Sequence, residues 1–395
     1  MKNSSTQFAL AQLKTLVPKI NDRMQAHLDD AIKQTNDLHG EQAAAYMKEV
    51  RRVALAGGKR IRGALVYYGY LLGGGGDEES ILDVAAAIEL IHTYILIEDD
   101  FMDKATARRG YPTLNATVAQ MYQKYLSEEN GSVNNFSAFL TESFNSDSEL
   151  KNTDRLPQGD IMHFANSLAV TLSLILSHIA LDIFTTADFK DSLKINALHY
   201  LHRQIQIVGH GQMFDILNEV NTHVTKEDIL NVHKWKTASY TIENPLLIGA
   251  ILSGMKSRDL ETLRAFSIPL GVAFQIQDDI MGTFGDSEKS GKSVDSDIRD
   301  GKKTLLTWHI EEYGTTKEKT LLHSVLGNRN ATDKEIDALR NLMKSSGALQ
   351  YSIDEVKRLT EQALQILEKG KNPNWNTDSL NFLTGIAGYM VERKV

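Results

Sequence analysis

Two acidic clusters carry the residue types in this chain that are best suited to metal-assisted chemistry. The first contains Asp99, Asp100 and Asp103, and the second contains Asp278 and Asp279. Carboxylates three or four residues apart lie on one side of a helix, and Mg²⁺ takes oxygen ligands from one or two carboxylates together with substrate phosphates. Each cluster therefore predicts a magnesium site that holds a diphosphate. For the first cluster the alternative is a charged helix end that pairs with nearby basic residues.

Basic residues accompany both clusters. Arg108 and Arg109 follow the first, while Lys292 and Lys302 follow the second within a segment interrupted by glycines. Arginine forms two parallel hydrogen bonds with a phosphate, and glycine-rich loops that carry lysine fold over phosphates. A third basic element at 57–62 opens a helix, where backbone N–H groups favour anions. The three elements indicate ligands that bear phosphate, and the alternative is that their cations face water.

Composition excludes several classes of protein. The chain has 395 residues, of which 42% are hydrophobic and 24% charged, as in a soluble globular protein. A net charge of −8 argues against a nucleic-acid binder. The absence of cysteine excludes disulfides, thiolate zinc sites and cysteine nucleophiles, and it fits a cytoplasmic protein. We see no signal peptide, and we interpret the most apolar run, 168–184, as a core helix too short and too polar to span a membrane.

The periodicity of apolar residues is helical almost everywhere. It predicts helices over 7–35, 41–56, 59–72 and 80–104, and a helical pattern from about residue 161 to the C-terminus, with no alternation typical of strands. A polar stretch at 122–157 interrupts the pattern and is predicted to be a loop or insertion. The fold class predicted is all-α, a single large helical bundle formed by one domain over 1–395.

The motifs, taken in order, resemble those of the trans-prenyl diphosphate synthases. The matching segments are GGKRIRG (57–63), IHTYILIEDDFMDKATARRGYPT (91–113), GHGQMFDI (209–216), KTASY (236–240), FQIQDDIMGTFGD (274–286) and GKSVDSDIRDGKKT (291–304). The resemblance implies a bundle around a deep central hydrophobic cavity. It implies that an allylic diphosphate (dimethylallyl, geranyl or farnesyl) ionises, condenses with isopentenyl diphosphate and loses a proton. It also implies three Mg²⁺ ions, with Mn²⁺ as the alternative, and a homodimer.

The resemblance also assigns roles to individual residues. As metal ligands it implies Asp99, Asp100, Asp103, Asp278 and Asp279. Contacts to the allylic diphosphate are assigned to Arg108, Lys236, Lys292 and Lys302, and contacts to isopentenyl diphosphate to Lys59, Arg62, His92 and Arg109. Polar residues expected at the reacting centre, where their dipoles favour a cation, are Gln212, Thr237 and Gln275.

The sequence departs from the pattern of the family at three places. Gly282 replaces the third aspartate of the second motif, and Glu98 adds a carboxylate before the first motif. The stretch 122–157 is longer than the family's usual connection, which predicts an insertion without phosphate-binding motifs.

The length of the product is predicted from the residues before the first motif. In the family the growing chain runs toward the N-terminal side of that motif, and Tyr94 lies about 7.5 Å before Asp99 along a helix. A single bulky residue at this position, beside Ile95, resembles members that form the C20 product, geranylgeranyl diphosphate. Farnesyl diphosphate (C15) is the alternative, and the small residues at 85–87 leave longer products open.

Three other classes of protein compete with this interpretation. A terpene cyclase would need an Asn/Asp–Ser/Thr–Glu metal triad, and the nearest candidate, Asn218, Thr222 and Lys226, ends in a lysine. A non-catalytic partner subunit should have lost aspartates from one motif, whereas both pairs are present. A prenyltransferase that acts on peptides would not need the full site for isopentenyl diphosphate.

Overall fold

A computed structural model describes residues 4–108, 110–127, 160–285 and 295–391, and within these ranges the fold is all-α, as predicted. The first half contains α1 (Ser4–His39), α2 (Glu41–Leu55), α3 (Ile61–Leu72), α4 (Glu78–Met102), β1 (Ala107–Arg108), β2 (Tyr111–Pro112), α5 (Leu114–Ser127), α6 (Asp160–Thr186) and α7 (Asp191–Val220). The second half contains α8 (Lys226–Val232), a π-helical segment (His233–Glu243), α9 (Asn244–Leu252), α10 (Ser257–Phe284), α11 (Ser296–Arg299), α12 (Leu305–Tyr313), α13 (Thr316–Val325), α14 (Asp333–Ser345), α15 (Ala348–Gly370) and α16 (Thr377–Val391).

The chain divides into two compact units, which are described separately below. The N-terminal-motif unit comprises 16–63 and 82–188, and the C-terminal-motif unit comprises 1–15, 64–81 and 189–395. Each unit contains one of the two acidic clusters: the first lies at the end of α4, and the second lies near the end of α10.

In the N-terminal-motif unit, a buried ion pair shapes the basic loop that precedes α3. Arg60 and Glu89 are both almost fully buried, with Arg60 Nη1 3.7 Å from Glu89 Oε2. Arg60 also donates to the Asn21 side chain and the Ala54 carbonyl, while Glu89 accepts the backbone N–H of Gly63 at 2.8 Å. Buried charges are tolerated when paired and hydrogen-bonded in this way. The side chain of Arg60 is therefore part of the scaffold.

In the C-terminal-motif unit, two glycines allow helices to approach the π-helical segment closely. A Cβ atom on Gly211 of α7 would lie 2.4 Å from the backbone nitrogen of Lys236. A Cβ atom on Gly271 of α10 would lie 2.4 Å from the Cα atom of Ala238. Larger side chains at these two positions would displace the segment that carries Lys236 and Thr237. Widened turns of this type are rare and are frequently found at functional sites.

The structure differs from the sequence predictions in three details. A two-residue hairpin joins β1 and β2, with Arg108 paired to Tyr111 and Gly110 in the turn at φ 80°. Helix α5 continues through 122–127, so the predicted loop starts too early, and its remaining residues lie almost entirely outside the described ranges. The interpretation of 168–184 as too short and too polar to span a membrane is also wrong, because it lies within a helix of 27 residues.

Two helices within the described ranges are long and apolar enough to cross a membrane by length and composition alone. They are Glu78–Met102, whose most apolar window is 72% buried, and Ile161–Thr186, whose window is 39% buried. A core helix is ordinarily apolar because it is buried, and this explanation fits α4. Helix α6 instead leaves apolar side chains exposed, among them Val170, Leu174 and Ile175.

Candidate active site

The three aspartates at the end of α4 do not share one environment. Asp100 is buried and accepts a hydrogen bond from Arg108 Nε at 2.6 Å, whereas Arg108 Nη2 reaches Asp99 Oδ2 at 3.3 Å. Burial of Arg108 opposes its charge, but the carboxylates of Asp100 and Asp99 outweigh that effect and raise the pKa of Arg108. Asp100 therefore orients the guanidinium that the sequence assigns to a phosphate.

Asp99 and Asp103 fit the requirements of a hard divalent cation. The backbone N–H of Asp103 donates to the Asp99 carbonyl at 2.8 Å, which keeps the two residues in helical register beyond the last residue of α4. Residues four apart on a helix project to the same side. The described residues form no group of three or more preformed metal ligands. This arrangement suits Mg²⁺, which completes its octahedron with substrate phosphates and water.

A small cavity lies beside the Asp100–Arg108 pair in the same unit. Its lining includes Arg52, Arg60, His92, Asp100, Arg108 and Thr113. Arg62 Nη1 lies 3.1 Å from His92 Nε2, so the structure brings these two predicted residues together. Lys59 is exposed in the loop before α3, and Arg109 lies outside the described residues. The concentration of positive charge around a concave surface is suited to an anionic ligand.

Tyr94 is connected to Glu98, the extra carboxylate that precedes the first motif. Glu98 interacts with Tyr94 on the preceding turn of α4, and the Ser173 hydroxyl of α6 lies 3.3 Å from Glu98 Oε1. Burial raises the pKa of the Glu98 carboxyl, against the opposing effect of Ser173 and Tyr94. Ser173 is fully buried, so α4 and α6 contact each other beside the Tyr94 ring. Ile95 is partly buried on the same helix.

In the C-terminal-motif unit, a chain of polar contacts joins the π-helical segment to α10. The Thr237 hydroxyl donates to Gln275 Oε1 at 2.6 Å, and Gln275 Nε2 donates to Asp279 Oδ1 at 2.8 Å. His233 Nε2 lies 3.1 Å from the other oxygen of the same carboxylate. Asp279 is buried, while Asp278 is partly buried. Oδ1 of Asp279 is thus hydrogen-bonded, whereas Oδ2 is buried within ion-pair distance of His233 and has no hydrogen-bond partner among the described residues.

Asp297 lies where a third carboxylate of the second motif would project. A Cβ atom on Gly282 would lie 2.2 Å from Asp297 Oδ2. The missing aspartate side chain and Asp297 therefore compete for the same space. The backbone N–H of Lys302 donates to the Asp297 carbonyl at 3.0 Å, which places the predicted lysine directly after α11. Lys292 lies outside the described residues.

Lys236 is paired with an aspartate of the GHGQMFDI segment. Its Nζ atom lies 2.6 Å from Asp215 Oδ2, and both side chains remain partly exposed. A substrate phosphate would compete with Asp215 for this ammonium group. Gln212 lies on the same helix, three residues before Asp215.

The structure adds four residues to those predicted from the sequence. Arg52 lines the basic cavity, while Asp215, His233 and Asp297 contact or adjoin predicted site residues. Asp215 and Asp297 fall within the segments quoted above, although the resemblance assigned a role to neither of them. Arg52 and His233 lie outside those segments, and a lone histidine or arginine gives no comparable signal in a sequence.

Restoring the third aspartate by Gly282→Asp is expected to lower activity. The new side chain would displace Asp297 from the place it holds beside α10. We expect kcat with saturating Mg²⁺ to fall by about tenfold, a typical loss when a group that positions metal ligands is disturbed. The measurement is a titration of activity with Mg²⁺ for Gly282→Asp and, as a control for bulk, Gly282→Ala. Unchanged or higher activity of Gly282→Asp would show that Asp297 does not occupy the functional position.

Comparisons with known proteins match both the fold and the motifs. The profile of the polyprenyl synthetase family matches residues 44–137 and 160–343. The short chain isoprenyl diphosphate synthase of Methanocaldococcus jannaschii is 30% identical over 335 residues, covering 84% of this chain and 83% of that protein. The geranylgeranyl diphosphate synthase of Saccharolobus solfataricus is 29% identical over 344 residues, covering 86% and 87%.

A solved structure resembles the whole fold. The crystal structure of geranylgeranyl pyrophosphate synthase from Corynebacterium glutamicum, complexed with isoprenyl diphosphate and magnesium, has a TM-score of 0.82 and 25% identity. The match covers 99% of this chain and 100% of that one. A match of this extent and similarity shows that the fold belongs to the class of all-helical isoprenyl synthases.

The chain belongs to the polyprenyl synthetase family. It is thus a prenyltransferase, and the predicted function of a trans-prenyl diphosphate synthase is confirmed at this level. The family generally depends on metal ions and binds isoprenyl diphosphates. The acidic and basic groups described above supply the oxygen donors and cations that such a ligand set requires.

Proposed function

We propose that this protein condenses isopentenyl diphosphate with an allylic diphosphate and releases mainly the C20 product, geranylgeranyl diphosphate. The observation that carries the product length is Tyr94, a partly buried ring next to Glu98 on the N-terminal side of the first motif. This ring supports the assignment of Tyr94 as the floor, meaning the single bulky residue at which the path of the growing chain ends. The alternative products are farnesyl diphosphate and longer chains.

The N-terminal-motif unit would bind the departing diphosphate on one side and the second substrate on the other. We assign Asp99 and Asp103 to metal binding, with Asp100 orienting Arg108 toward the allylic diphosphate. Bound Mg²⁺ stabilises the negative charge that develops on the leaving diphosphate. The isopentenyl diphosphate site would comprise Lys59, Arg62, His92 and Arg109, together with Arg52 of the basic cavity.

In the C-terminal-motif unit, we carry over the assignments of lysines and aspartates to an allylic diphosphate and its metal ions. We assign Lys236, Lys292 and Lys302 to the phosphates of the allylic substrate. Asp278 is assigned to a metal ion, and the adjacent Asp279 is more deeply buried. Because Lys236 already pairs with Asp215, the ammonium group is held in place before a phosphate arrives. Thr237, Gln275 and Gln212 would place oxygen dipoles at the reacting centre, where an allylic cation forms.

Three Mg²⁺ ions, a homodimer and a cytoplasmic location complete the proposal, with Mn²⁺ as the alternative ion. The exposed apolar residues Val170, Leu174 and Ile175 of α6 support a contact with a second copy of the chain, because an exposed apolar patch commonly marks an interface. We also propose one synthase domain with an insertion. A single family profile matches on both sides of 138–159 and spans residues of both units.

Tyr94→Ala is expected to lengthen the product beyond C20. Removing the ring opens space of several methylene groups at the end of the path, so that further condensations continue before the chain meets an obstacle. The measurement is product sizing by thin-layer radiochromatography after incubation with labelled isopentenyl diphosphate. Tyr94→Phe is the matched control, since it keeps the ring and removes only the hydroxyl. An unchanged product length in Tyr94→Ala would exclude Tyr94 as the floor.

The proposed activity is tested by incubating the purified full chain with isopentenyl diphosphate, Mg²⁺ and each of the three allylic diphosphates. We expect product formation to require both substrates and the metal, and the main product to be C20 with every primer accepted. Absence of a product with any primer would reject the synthase assignment. A dominant C15 product would reject only the assignment of length.

A further inference from the structure

Arg340 of α14 contacts two elements near the second acidic motif that are separated along the chain. Its Nε atom donates to the backbone carbonyl of Thr283 at 2.7 Å, and its Nη2 atom donates to Asp295 Oδ1 at 2.5 Å. Thr283 lies in the last turn of α10, and Asp295 directly precedes α11. One guanidinium group, whose side chain is only 19% exposed, therefore joins the end of α10 to the start of α11.

The contact with Thr283 has an ordinary explanation when taken alone. The last carbonyls of a helix lack partners within the helix, and an arginine near the C-terminus can supply one. The contact with Asp295 is not explained in this way, because Asp295 lies outside α10. Asp295 Oδ2 is also 3.7 Å from Arg299 Nη2, and Arg299 Nη1 donates to the Ala331 carbonyl at 2.7 Å. The carboxylate before α11 is therefore held between two arginines.

The two joined elements carry residues that the proposed function assigns to one ligand. Asp278 lies on α10, before its last turn. Lys302 follows α11, and its backbone N–H donates to the Asp297 carbonyl at 3.0 Å. Asp297 in turn lies against α10, since a Cβ atom on Gly282 would be 2.2 Å from Asp297 Oδ2. The spacing between Asp278 and Lys302 thus depends on how α11 is held against α10.

Apolar packing also holds α11 in this unit. Ile298 is 2% exposed and belongs to a core cluster with Leu339 of α14, against which Phe284 packs. The hydrophobic effect is non-directional, so such packing controls small shifts of α11 less closely than hydrogen bonds do. The planar fork of an arginine binds its acceptors in defined directions. Arg340 therefore adds directional contacts to a junction that is otherwise largely apolar.

We propose that Arg340 is a positioning residue for the allylic diphosphate, which sets the spacing between Asp278 on α10 and Lys302 after α11. This inference rests on the proposed function, in which Asp278 binds a metal ion and Lys302 binds a phosphate of the same substrate. A site that must first order its parts loses affinity to that ordering. Isopentenyl diphosphate is assigned to residues of the other unit, so its binding does not depend on this spacing.

The test compares the KM values of the full chain for its two substrates, with farnesyl diphosphate as the primer and saturating Mg²⁺. Arg340→Gln removes the charged fork, and Asp295→Ala removes its acceptor before α11. We expect each substitution to raise KM for farnesyl diphosphate by about tenfold and to change KM for isopentenyl diphosphate by less than about twofold. Loss of a group that orients ligands typically costs about 10- to 100-fold.

A second readout does not depend on turnover. Binding of inorganic diphosphate that requires Mg²⁺, measured by isothermal titration calorimetry, should weaken about tenfold in both variants. Asp337→Ala is the matched control, because Asp337 accepts from Arg340 Nη1 at 3.1 Å but lies on α14 itself and is 66% exposed. This control should leave both KM values and the binding of diphosphate unchanged.

The double variant Arg340→Gln/Asp295→Ala tests whether the two residues act as a unit. Its KM for farnesyl diphosphate should be no more than about threefold above that of the more affected single variant, because interacting residues are not additive. Multiplicative losses, equal increases in KM for both substrates, or unchanged KM values in both single variants would overturn the proposal. An inactive wild-type protein would instead reject the proposed function. Thermal unfolding of each variant establishes that the values come from folded protein.

Discussion

Asp99→Asn or Asp103→Asn is expected to lower kcat/KM by on the order of 10³, whereas Asp100→Asn is expected to lower it only about tenfold. The first two side chains lie in helical register and are assigned to the metal ions that stabilise the leaving diphosphate. Asp100 is buried and bonded to Arg108 at 2.6 Å, so it acts by orienting a cation. Asparagine preserves the shape of the side chain and removes its charge.

This ranking is checked by steady-state kinetics at several Mg²⁺ concentrations. Asp99→Asn and Asp103→Asn should show a raised requirement for Mg²⁺, which excess metal does not fully overcome. Asp100→Asn should retain the wild-type requirement and show a raised KM for the allylic diphosphate, because Arg108 loses the charge of its nearer partner and keeps only Asp99 at 3.3 Å. An equal effect of all three substitutions would contradict the division of roles between the aspartates.

Glu89→Ala is expected to reduce the free energy of unfolding by about 3–5 kcal/mol, the usual cost of leaving a buried charge without its partner. Arg60 would lose the carboxylate 3.7 Å away, and the backbone N–H of Gly63 would lose its acceptor. Both changes affect the loop that carries Lys59 and the first turn of α3, which carries Arg62. We therefore also expect a raised KM for isopentenyl diphosphate in whatever fraction remains folded.

Urea denaturation measures this effect, with two matched variants beside it. Glu89→Gln keeps an oxygen acceptor for Gly63 and should be less destabilised than Glu89→Ala. Glu79→Ala removes an exposed carboxylate from the same helix and should change the unfolding free energy by less than about 1 kcal/mol. A loss in Glu89→Ala no larger than that in Glu79→Ala would show that Arg60 does not depend on Glu89.

The helices and the order of the motifs were predictable from the sequence because both depend on local patterns. The apolar interior of α4 predicts a buried helix, and the glycines at 57–58 and 73–76 mark the ends of its neighbours. The family resemblance added the roles of the aspartates and lysines. Periodicity also placed the end of a helix at the first cluster, and α4 is the element that positions the carboxylates assigned to metal binding.

Other features could not be read from the sequence because they depend on contacts between distant residues. The π-helical segment is closely approached by α7 at Gly211 and by α10 at Gly271, and such contacts with distant helices give no local signal in the sequence. The place of Asp297 beside Gly282 depends on a contact between α11 and α10. The division of roles between Asp99 and Asp100 depends on the hairpin that returns Arg108 to the end of α4.

The central claim is that one reaction uses two diphosphate substrates and releases diphosphate from only one of them. The most direct measurement follows the release of diphosphate and the consumption of isopentenyl diphosphate in the same reaction, with farnesyl diphosphate as the primer. We expect one diphosphate to be released for each isopentenyl diphosphate consumed, and negligible release when isopentenyl diphosphate is omitted. Release of diphosphate from the allylic substrate alone, with no consumption of isopentenyl diphosphate, would contradict it and identify a cyclase or a hydrolase.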